Sequence, residues 1–330
     1  MSETNAPPNR FKNWFFLAFS WLVLCPSLLR ASSKAEETAF LDIPVGGRPV
    51  AMGGAYSALA NDAYAATLNP GGLGFLGSAQ FAGEHLSYLE SSQFDYVGAG
   101  VPLHGSDACG PSSTCPGASI GGAVQYFGGG KISGTDANGD PTGDFSTHFT
   151  VYNVSFGRAF TDRLSFGLTG KWINARLADV SASAYGADVG TMYQLNKNMT
   201  LAAVLTNVGS KLTFLNEGNP LPTAIHTGFA YQVENGWSFS TEGVYHQTGA
   251  VSGHLGFEYH PIPMASLRIS YRTDETGKKG SLGGVAAGFG IQLRGIDFSY
   301  AWKPMSDLGV TQYISFGYSF GERSTTQGSR

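Results

Sequence analysis

Side-chain oxygens occur at alternate positions in one short stretch, at Asp136, Asn138 and Asp140, and Asp144 follows closely. Oxygen ligands with this spacing begin calcium-binding loops. The stretch departs from such a loop because Pro141 replaces the glycine of the sharp turn, and no glutamate follows where the last ligand is needed. Asp, Asn, Gly and Pro are also the residues that turns prefer. A calcium site and a solvated turn both remain open, and calcium is the only cofactor that the sequence suggests.

Two G-x-S-x-G motifs, centred on Ser119 and Ser319, have the form of an esterase nucleophile. Such a serine needs a sharp strand-to-helix turn with a histidine and an acid in reach, whereas both motifs lie in segments that predict strands. Chance matches are expected in a chain with 46 glycines. The histidines at positions 85, 226, 246, 254 and 260 show no metal-ligand spacing. The sequence therefore predicts no enzyme.

Three cysteines are present, and two of them, Cys109 and Cys115, share a loop rich in Gly, Pro and Ser. In an exported protein this pair predicts a disulfide that staples the loop. A redox role would need a C-x-x-C motif beside a helix, which is absent. Cys25 could carry a lipid, but Leu24 occupies the preceding position, where lipoprotein signals have a small residue.

The first residues predict a cleavable signal peptide over residues 1–35. Arg10 and Lys12 precede an apolar run from Trp14 to Leu24, which is too short to span a bilayer. A small-x-small cleavage site ends at Ala35. The expected location is the outer membrane of a Gram-negative-type bacterium, where lipid and lipopolysaccharide would surround the protein. The small net charge of -4 and the absence of a basic block give no reason to expect nucleic acid.

Alternation of apolar and polar residues is the strongest pattern in the chain. It runs through residues 164–172, 254–260, 267–272, 296–303 and 313–320, with apolar residues on one face and charges on the other. A soluble sandwich would also alternate, but its outward faces would carry more Lys and Glu. Here the polar face is rich in Gly, Ser and Ala, and Trp and Tyr gather toward strand ends. The pattern predicts an all-β fold, a transmembrane antiparallel β-barrel.

Runs of about ten residues, the length of a tilted membrane strand, predict about fourteen strands within residues 79–320. Their predicted first residues are Ala79, Gln93, Ala118, Phe145, Leu164, Ser183, Met199, Ala224, Trp237, Ser252, Ser266, Gly283, Ile296 and Gln312. One set of connections is short and the other includes long polar loops, as in outer-membrane barrels. The loop holding the two cysteines is the exception on the short side. Residues 321–330 predict a flexible tail.

Residues 36–78 predict a plug inside the barrel, which we call the hatch. Between Arg48 and Glu84 the only charged side chain is Asp62, and small residues predominate. Such a segment packs closely against protein without attracting lipid. Asn61 and Asp62 are expected to cap a helix from Ala63 to Leu68, which ends because Pro70 disfavours helical geometry before it.

Charged residues on the polar face of the predicted strands are expected to pair with one another and with the hatch, because an unpaired charge in a tight lumen is costly. A role along a ligand path is the alternative. The residues are Lys171, Glu242, Glu258, Arg268, Arg272, Arg294 and Asp297.

The stretch from Gly46 to Leu73 resembles the N-terminal signature of the PorV/PorQ family, within the wider group of FadL-like long-chain fatty-acid transporters. The matching segments are Gly46-Gly47-Arg48, Met52-Gly53-Gly54-Ala55, Ala60-Asn61-Asp62-Ala63 and Asn69-Pro70-Gly71-Gly72-Leu73. Gly71 departs from the usual alanine. The resemblance implies a fourteen-stranded barrel with a gating hatch. The hatch residues it singles out are Arg48, Gly53, Gly54, Asn61, Asp62, Asn69, Pro70, Gly71 and Gly72.

The resemblance implies two functions of different classes. In PorV-like members the barrel serves type IX protein secretion by binding cargo proteins or translocon subunits. In fatty-acid transporters of the group, the hatch gates the passage of a hydrophobic ligand. The mostly Gly, Ser and charged lumen favours the secretion role, and passive transport of hydrophobic molecules is the alternative. Fold likeness alone does not decide between them.

Overall fold

The computed structural model describes residues 39–87, 92–103, 117–130, 132–136, 138–233, 235–275, 283–304 and 309–321. Fourteen antiparallel strands form a closed barrel, as the alternation predicts. They are β1 (Gln80–Ser87), β2 (Gln93–Pro102), β3 (Ala118–Gly128), β6 (Thr147–Ala159), β7 (Leu164–Leu177), β8 (Val180–Gln194), β9 (Met199–Gly209), β12 (Ala224–Gln232), β13 (Trp237–His246), β14 (Val251–Ile262), β15 (Ala265–Arg272), β16 (Val285–Leu293), β17 (Ile296–Pro304) and β18 (Val310–Ser319).

Each barrel strand pairs with both of its neighbours, and β1 closes the wall by pairing with β18 from Gln80–Ser319 to Ser87–Gln312. The pairing of β8 with β9 shifts register between Ala187 and Val189, where Asp188 alone faces Thr206 and Asn207 of β9, and Asn207 has a φ of 56°. The extra residue bends the strand locally without interrupting the wall.

Two further hairpins lie within connections that the sequence predicts as plain loops. They are β4 (Ile132–Thr135) with β5 (Pro141–Phe145), and β10 (Leu212–Phe214) with β11 (Glu217–Asn219). Both are short, so neither shows the long alternation that identifies the barrel strands. They belong to the end of the barrel with the longer connections, the long-loop end. The opposite end, where for example Arg294 and Gly295 alone join β16 to β17, is the short-turn end.

The outward face carries the apolar half of the alternation. Val154 and Leu168 are 73% and 55% exposed near the middle of the wall. Trp172 and Tyr185 lie exposed toward the long-loop end, and Trp237 toward the short-turn end. An apolar band between aromatic girdles is the surface that a bilayer covers. None of the helices in the described residues is long and apolar enough to cross a membrane.

The hatch occupies the lumen as short helical turns. They are a 3₁₀ turn (Ala39–Asp42), α1 (Gly47–Ala51), α2 (Ala65–Leu68) and a second 3₁₀ turn (Pro70–Phe75). The predicted stop before Pro70 is confirmed, because Asn69 is extended with φ -160°. The helix begins two residues later than predicted. Asp62 Oδ1 accepts from the Tyr64 N–H, while Asn61 is exposed and caps nothing.

The segment runs the length of the lumen. Phe40 stacks on Phe149 of β6 at 4.2 Å, near the long-loop end. Leu76 lies against Gly100 of β2, near the short-turn end, where β1 then begins. The hatch, which precedes β1 in the sequence, therefore crosses the barrel interior from the long-loop end to the short-turn end.

One lumen prediction is wrong. Arg294 is exposed at the short-turn end and does not face the lumen. The prediction assumed a one-residue turn at Gly295, but Arg294 and Gly295 both have positive φ, of 48° and 84°. A two-residue hairpin turn of this kind uses both positions, so Arg294 belongs to the turn.

The oxygen-rich stretch has the hydrogen bonding of a turn. Asp136 Oδ1 accepts from the N–H groups of Asn138 and Asp140 at 2.8 and 2.9 Å, and Asp144 accepts from Ser133. Within the described residues, no three His, Cys, Asp or Glu side chains are grouped to hold a metal. Calcium binding stays a prediction without support from this arrangement. Cys109, Cys115, the signal peptide and the tail beyond residue 321 lie outside the described residues.

Candidate functional site

The hatch separates two cavities within the barrel. The outer cavity, of about 250 Å³, lies toward the long-loop end and is bounded by Ile43 and Leu68 of the hatch and by His226 and His254 of the wall. The inner cavity, of about 700 Å³, lies toward the short-turn end. β14 and β15 line both cavities.

Arg48 holds the hatch against this part of the wall. It binds Glu258 of β14 through two hydrogen bonds, of 2.9 and 2.8 Å, and Glu258 also binds Arg268 of β15 at 2.6 Å. A third Arg48 nitrogen donates to the Tyr56 hydroxyl, which donates to Asp62 at 2.6 Å. The five side chains form one network, in which charge-assisted and two-pronged bonds are the strong type. We call this network the Arg48 latch.

A second polar contact joins the hatch to β13. Glu242 accepts from the backbone N–H groups of Tyr56 and Ser57 at 3.0 and 2.9 Å through one oxygen. Its other oxygen lies 2.9 Å from Nδ1 of His226 on β12. The carboxylate therefore satisfies backbone donors of the hatch that would otherwise be buried without partners.

The Asn69-Pro70 turn packs against the opposite side of the lumen. The Asn69 side chain is fully buried, donates to Ser57 O at 2.8 Å and Thr191 O at 3.3 Å, and accepts from Gly71 N at 2.9 Å. Ser165 of β7 donates to Gly71 O at 2.6 Å. The turn is thus bonded both to itself and to the wall.

Wall glycines make room for this turn. A Cβ on Gly157 or Gly167 would overlap the carbonyl of Pro70, and one on Gly190 would overlap the Asn69 side chain. Side chains at these positions would point into the lumen, so only glycine permits the approach. The small residues on the predicted polar face of the strands therefore leave the space that the hatch occupies.

On the β1, β2 and β18 side the hatch contacts the wall through apolar groups. Val45, Val50 and Tyr64 pack with Leu86 of β1 and Phe94 of β2, all of them buried. The hatch is therefore attached by an apolar cluster on one side and by the charged Arg48 latch on the other.

Further charges on the wall are paired near the long-loop end. Lys171 lies 2.7 Å from Asp188, Arg272 lies 2.6 Å from Asp274, and Lys303 lies 2.7 Å from Glu275. Burial raises the pKa of Asp274, but the hydrogen bonds and charge of Arg272 outweigh it, so the pKa lies well below the ordinary value.

The predicted pairing of lumen charges is thus found for Lys171, Glu242, Glu258, Arg268 and Arg272, and Asp297 accepts from Ser299 beside Arg268. Gly53 and Gly54 approach the wall at Ser270 and His254. Several lumen-side charges are not among the residues that the sequence predicts for the lumen: Glu84, Asp188, His226, His254, Asp274, Glu275 and Lys303. Strand parity would have found those within strands, whereas Asp274 and Glu275 lie beyond the end of β15.

Asn69→Ala is expected to loosen the hatch locally. It removes three hydrogen bonds, and leaving buried backbone groups unpaired costs roughly 1–3 kcal/mol. Hydrogen exchange at Gly71 and Gly72 should therefore accelerate by about ten- to a hundredfold, since 1.4 kcal/mol is a factor of ten. Exchange measured by mass spectrometry checks this, with Asn138→Ala in the exposed turn as the control. Unchanged exchange would show that the turn is held by packing alone.

Comparisons with known proteins identify the fold. No protein-family model matches the chain, and no curated protein matches its sequence. Among solved structures, the chain is similar to the deltaS2S3 mutant of the TodX monoaromatic hydrocarbon channel, with a TM-score of 0.58, 14% identity and coverage of 84% of this chain and 99% of that one. The chain is also similar to the Ralstonia pickettii toluene transporter TbuX, with a TM-score of 0.56, 16% identity and coverage of 84% of this chain and 98% of that one. For a Pseudomonas aeruginosa FadL homologue, the TM-score is 0.51 and the identity 10%, with coverage of 81% of this chain and 96% of that one.

These likenesses show a shared β-barrel fold. They agree with the wider FadL-like group in the resemblance, and none of them supports its narrower PorV/PorQ branch. Of the three similar structures, the first is described as a channel and the second as a transporter.

Proposed function

We propose that this chain is a passive outer-membrane channel for small hydrophobic molecules and that the hatch is its gate. The observation that carries the proposal is that the hatch fills the lumen of a closed barrel and leaves a cavity on each side. The similar solved structures are described as hydrocarbon channels and toluene transporters, which supports this alternative over the secretion role. The comparisons give the secretion role no support.

Two of the attachments of the hatch suggest how the gate works. On the β1 and β2 side, apolar burial anchors the hatch, because withdrawing those side chains would expose them to water. On the β14 and β15 side, the Arg48 latch consists of polar bonds, which water can replace at small net cost. The hatch would therefore swing away from β14 and β15 while remaining attached at β1 and β2. That movement would join the two cavities.

The outer cavity also fits this function in size. An apolar cavity of roughly 150 Å³ holds one benzene molecule in another protein, and the outer cavity measures about 250 Å³. Ile43, Pro44, Val45 and Leu68 give it an apolar side. A single-ring compound is of the right volume, whereas an extended acyl chain would need the hatch to move before it could enter.

A reversible cross-link between hatch and wall tests the gate. A Cβ on Gly228 of β12 would lie 3.4 Å from the Cβ of Ala58, close to the separation found in disulfides. The double variant Ala58→Cys/Gly228→Cys, in a Cys109→Ser/Cys115→Ser background, is expected to lose toluene uptake when oxidised and to regain it on reduction. Uptake is measured as the initial rate in cells producing the protein minus that in cells without it.

The two single variants, Ala58→Cys and Gly228→Cys, are the matched controls and should respond to neither oxidant nor reductant. The Ser57 side chain must rotate to admit a cysteine at position 228. Uptake by the Gly228→Cys single variant and by the reduced double variant reports the effect of that rotation. Full uptake by the oxidised double variant would show that the hatch does not gate passage. No uptake by any form, including the unmodified chain, would refute the transport function itself.

A further inference from the structure

The outer cavity has two chemically different sides. The hatch side is largely apolar through Ile43, Pro44, Val45 and Leu68, although Asp42, Ser57 and Thr67 also line it. The wall side consists mainly of hydrogen-bonding and charged groups, with Val151 and Val244 as its apolar residues. A bare hydrocarbon would contact the apolar residues, but any wall group that lacks a protein partner would lose its hydrogen bond to water, which costs free energy.

The charges on the wall side already have partners. Lys171 binds Asp188 and Asn207, each at 2.7 Å, and Arg272 binds Asp274. Glu242 binds two backbone N–H groups and His226. A carboxylate ligand would have to displace a native carboxylate from one of these cations or remain unpaired, and an unpaired buried charge is costly. The cavity therefore disfavours anions.

Two neutral hydrogen-bonding groups remain on opposite parts of the wall. The side-chain amide of Gln125, on β3, is buried at the cavity and has no hydrogen-bond partner within the described part of the chain. His226 uses Nδ1 toward Glu242, and its Nε2 has no partner within that same part. In the tautomer that donates from Nδ1 to Glu242, Nε2 accepts a hydrogen bond. The amide can donate and accept.

We infer that the outer cavity selects neutral single-ring molecules that carry one hydroxyl group, such as phenols, over the corresponding hydrocarbons and carboxylates. The ring contacts the apolar hatch side, and the hydroxyl donates to His226 Nε2 or exchanges hydrogen bonds with the Gln125 amide. This inference rests on the proposed channel function and names its substrate class.

The test uses three probes of one shape: toluene, p-cresol and p-toluate, each radiolabelled. Initial uptake is measured in cells producing the full chain, minus uptake in matched cells without it. The p-cresol rate should exceed the toluene rate by about fivefold, the factor that one neutral hydrogen bond supplies, and p-toluate should stay at background. Toluene at or above p-cresol, or p-toluate above p-cresol, overturns the inference while leaving a channel. No protein-dependent uptake of any probe removes the channel function and the inference with it.

Gln125→Leu keeps the size of the side chain and removes the amide. The ratio of p-cresol to toluene uptake should fall by about fivefold if the amide contributes one hydrogen bond. Gln232→Leu, at an exposed position near the short-turn end of β12, is the same substitution away from both cavities and should leave the ratio unchanged. An unchanged ratio in Gln125→Leu, with His226→Leu also unchanged, would refute the assignment of these two groups. Because the readout is a ratio within one variant, a lower amount of folded protein does not affect it.

Discussion

Arg48→Ala is expected to leave the barrel intact and the gate partly open. The substitution removes the two bonds to Glu258 and the bond to Tyr56, so the hatch loses its ionic attachment to β14. Glu258 keeps Arg268 as its partner, so the wall itself retains a paired charge. Because Glu258 remains paired, the loss is that of hydrogen bonds to a charged group, about 1.5–3 kcal/mol net. The open state should therefore gain population by about ten- to a hundredfold.

The effect can be measured as leak in reconstituted vesicles. Swelling in an isotonic solution of small sugars should be faster with Arg48→Ala than with the unmodified chain, because the opened lumen admits water and small solutes. Arg163→Ala, at an exposed position in a short turn, is the matched arginine control and should behave as the unmodified chain. Heat-resistant migration on gels should be equal in all three, which reports an intact barrel. Equal swelling would mean that the apolar cluster alone keeps the hatch closed.

Gly167→Val is expected to displace the hatch from the other side. The new side chain would occupy the space now filled by the carbonyl of Pro70, which is backbone and cannot rotate away. Overpacking of this kind usually costs about 1–3 kcal/mol, and more when backbone must move. The Asn69-Pro70 turn should shift, and proteolysis within the hatch should become at least tenfold faster, as follows from the loss of 1.4 kcal/mol or more.

Gly170→Val provides a close control. It lies on the same strand, faces outward, and has open space where the Cβ would stand, so it adds only lipid-facing apolar area. Its hatch should be cleaved at the rate of the unmodified protein. If Gly157→Val and Gly167→Val both left cleavage unchanged while barrel stability fell, the wall rather than the hatch would have moved. That result would contradict the interpretation of these glycines as a seat for the turn.

The barrel could be predicted from the sequence because its signal is local and repeated. Every barrel strand begins within three residues of its predicted start, and seven begin at the predicted residue. Alternation of period two reports which face each side chain occupies, without knowledge of its neighbours. The short hairpins β4–β5 and β10–β11 were missed because three to five residues carry too little of the pattern.

The site was predictable only in part, since it depends on contacts between distant residues. The sequence indicated that Arg48 and Glu258 face the interior, but their pairing joins residues 210 positions apart. Arg294 was misplaced because the choice between a one- and a two-residue turn depends on backbone geometry. The functional hypothesis that was preferred, protein secretion, rested on lumen polarity. The structure shows that those polar groups largely bond to the hatch or to one another, so they do not argue against a hydrophobic cargo.

Because the hatch precedes β1 in the chain yet contacts strands from the beginning, middle and end of the wall, it constrains the order of assembly. Its Gly47 N–H bonds Ser315 of β18, 268 residues later. Contacts so distant in sequence form slowly, since a long loop must close first. The pairing of β1 with β18 must therefore close around a segment that already lies inside. Barrel closure would then depend on a correctly placed hatch. A chain with a misplaced hatch would remain an open sheet and would not form a barrel with an empty lumen.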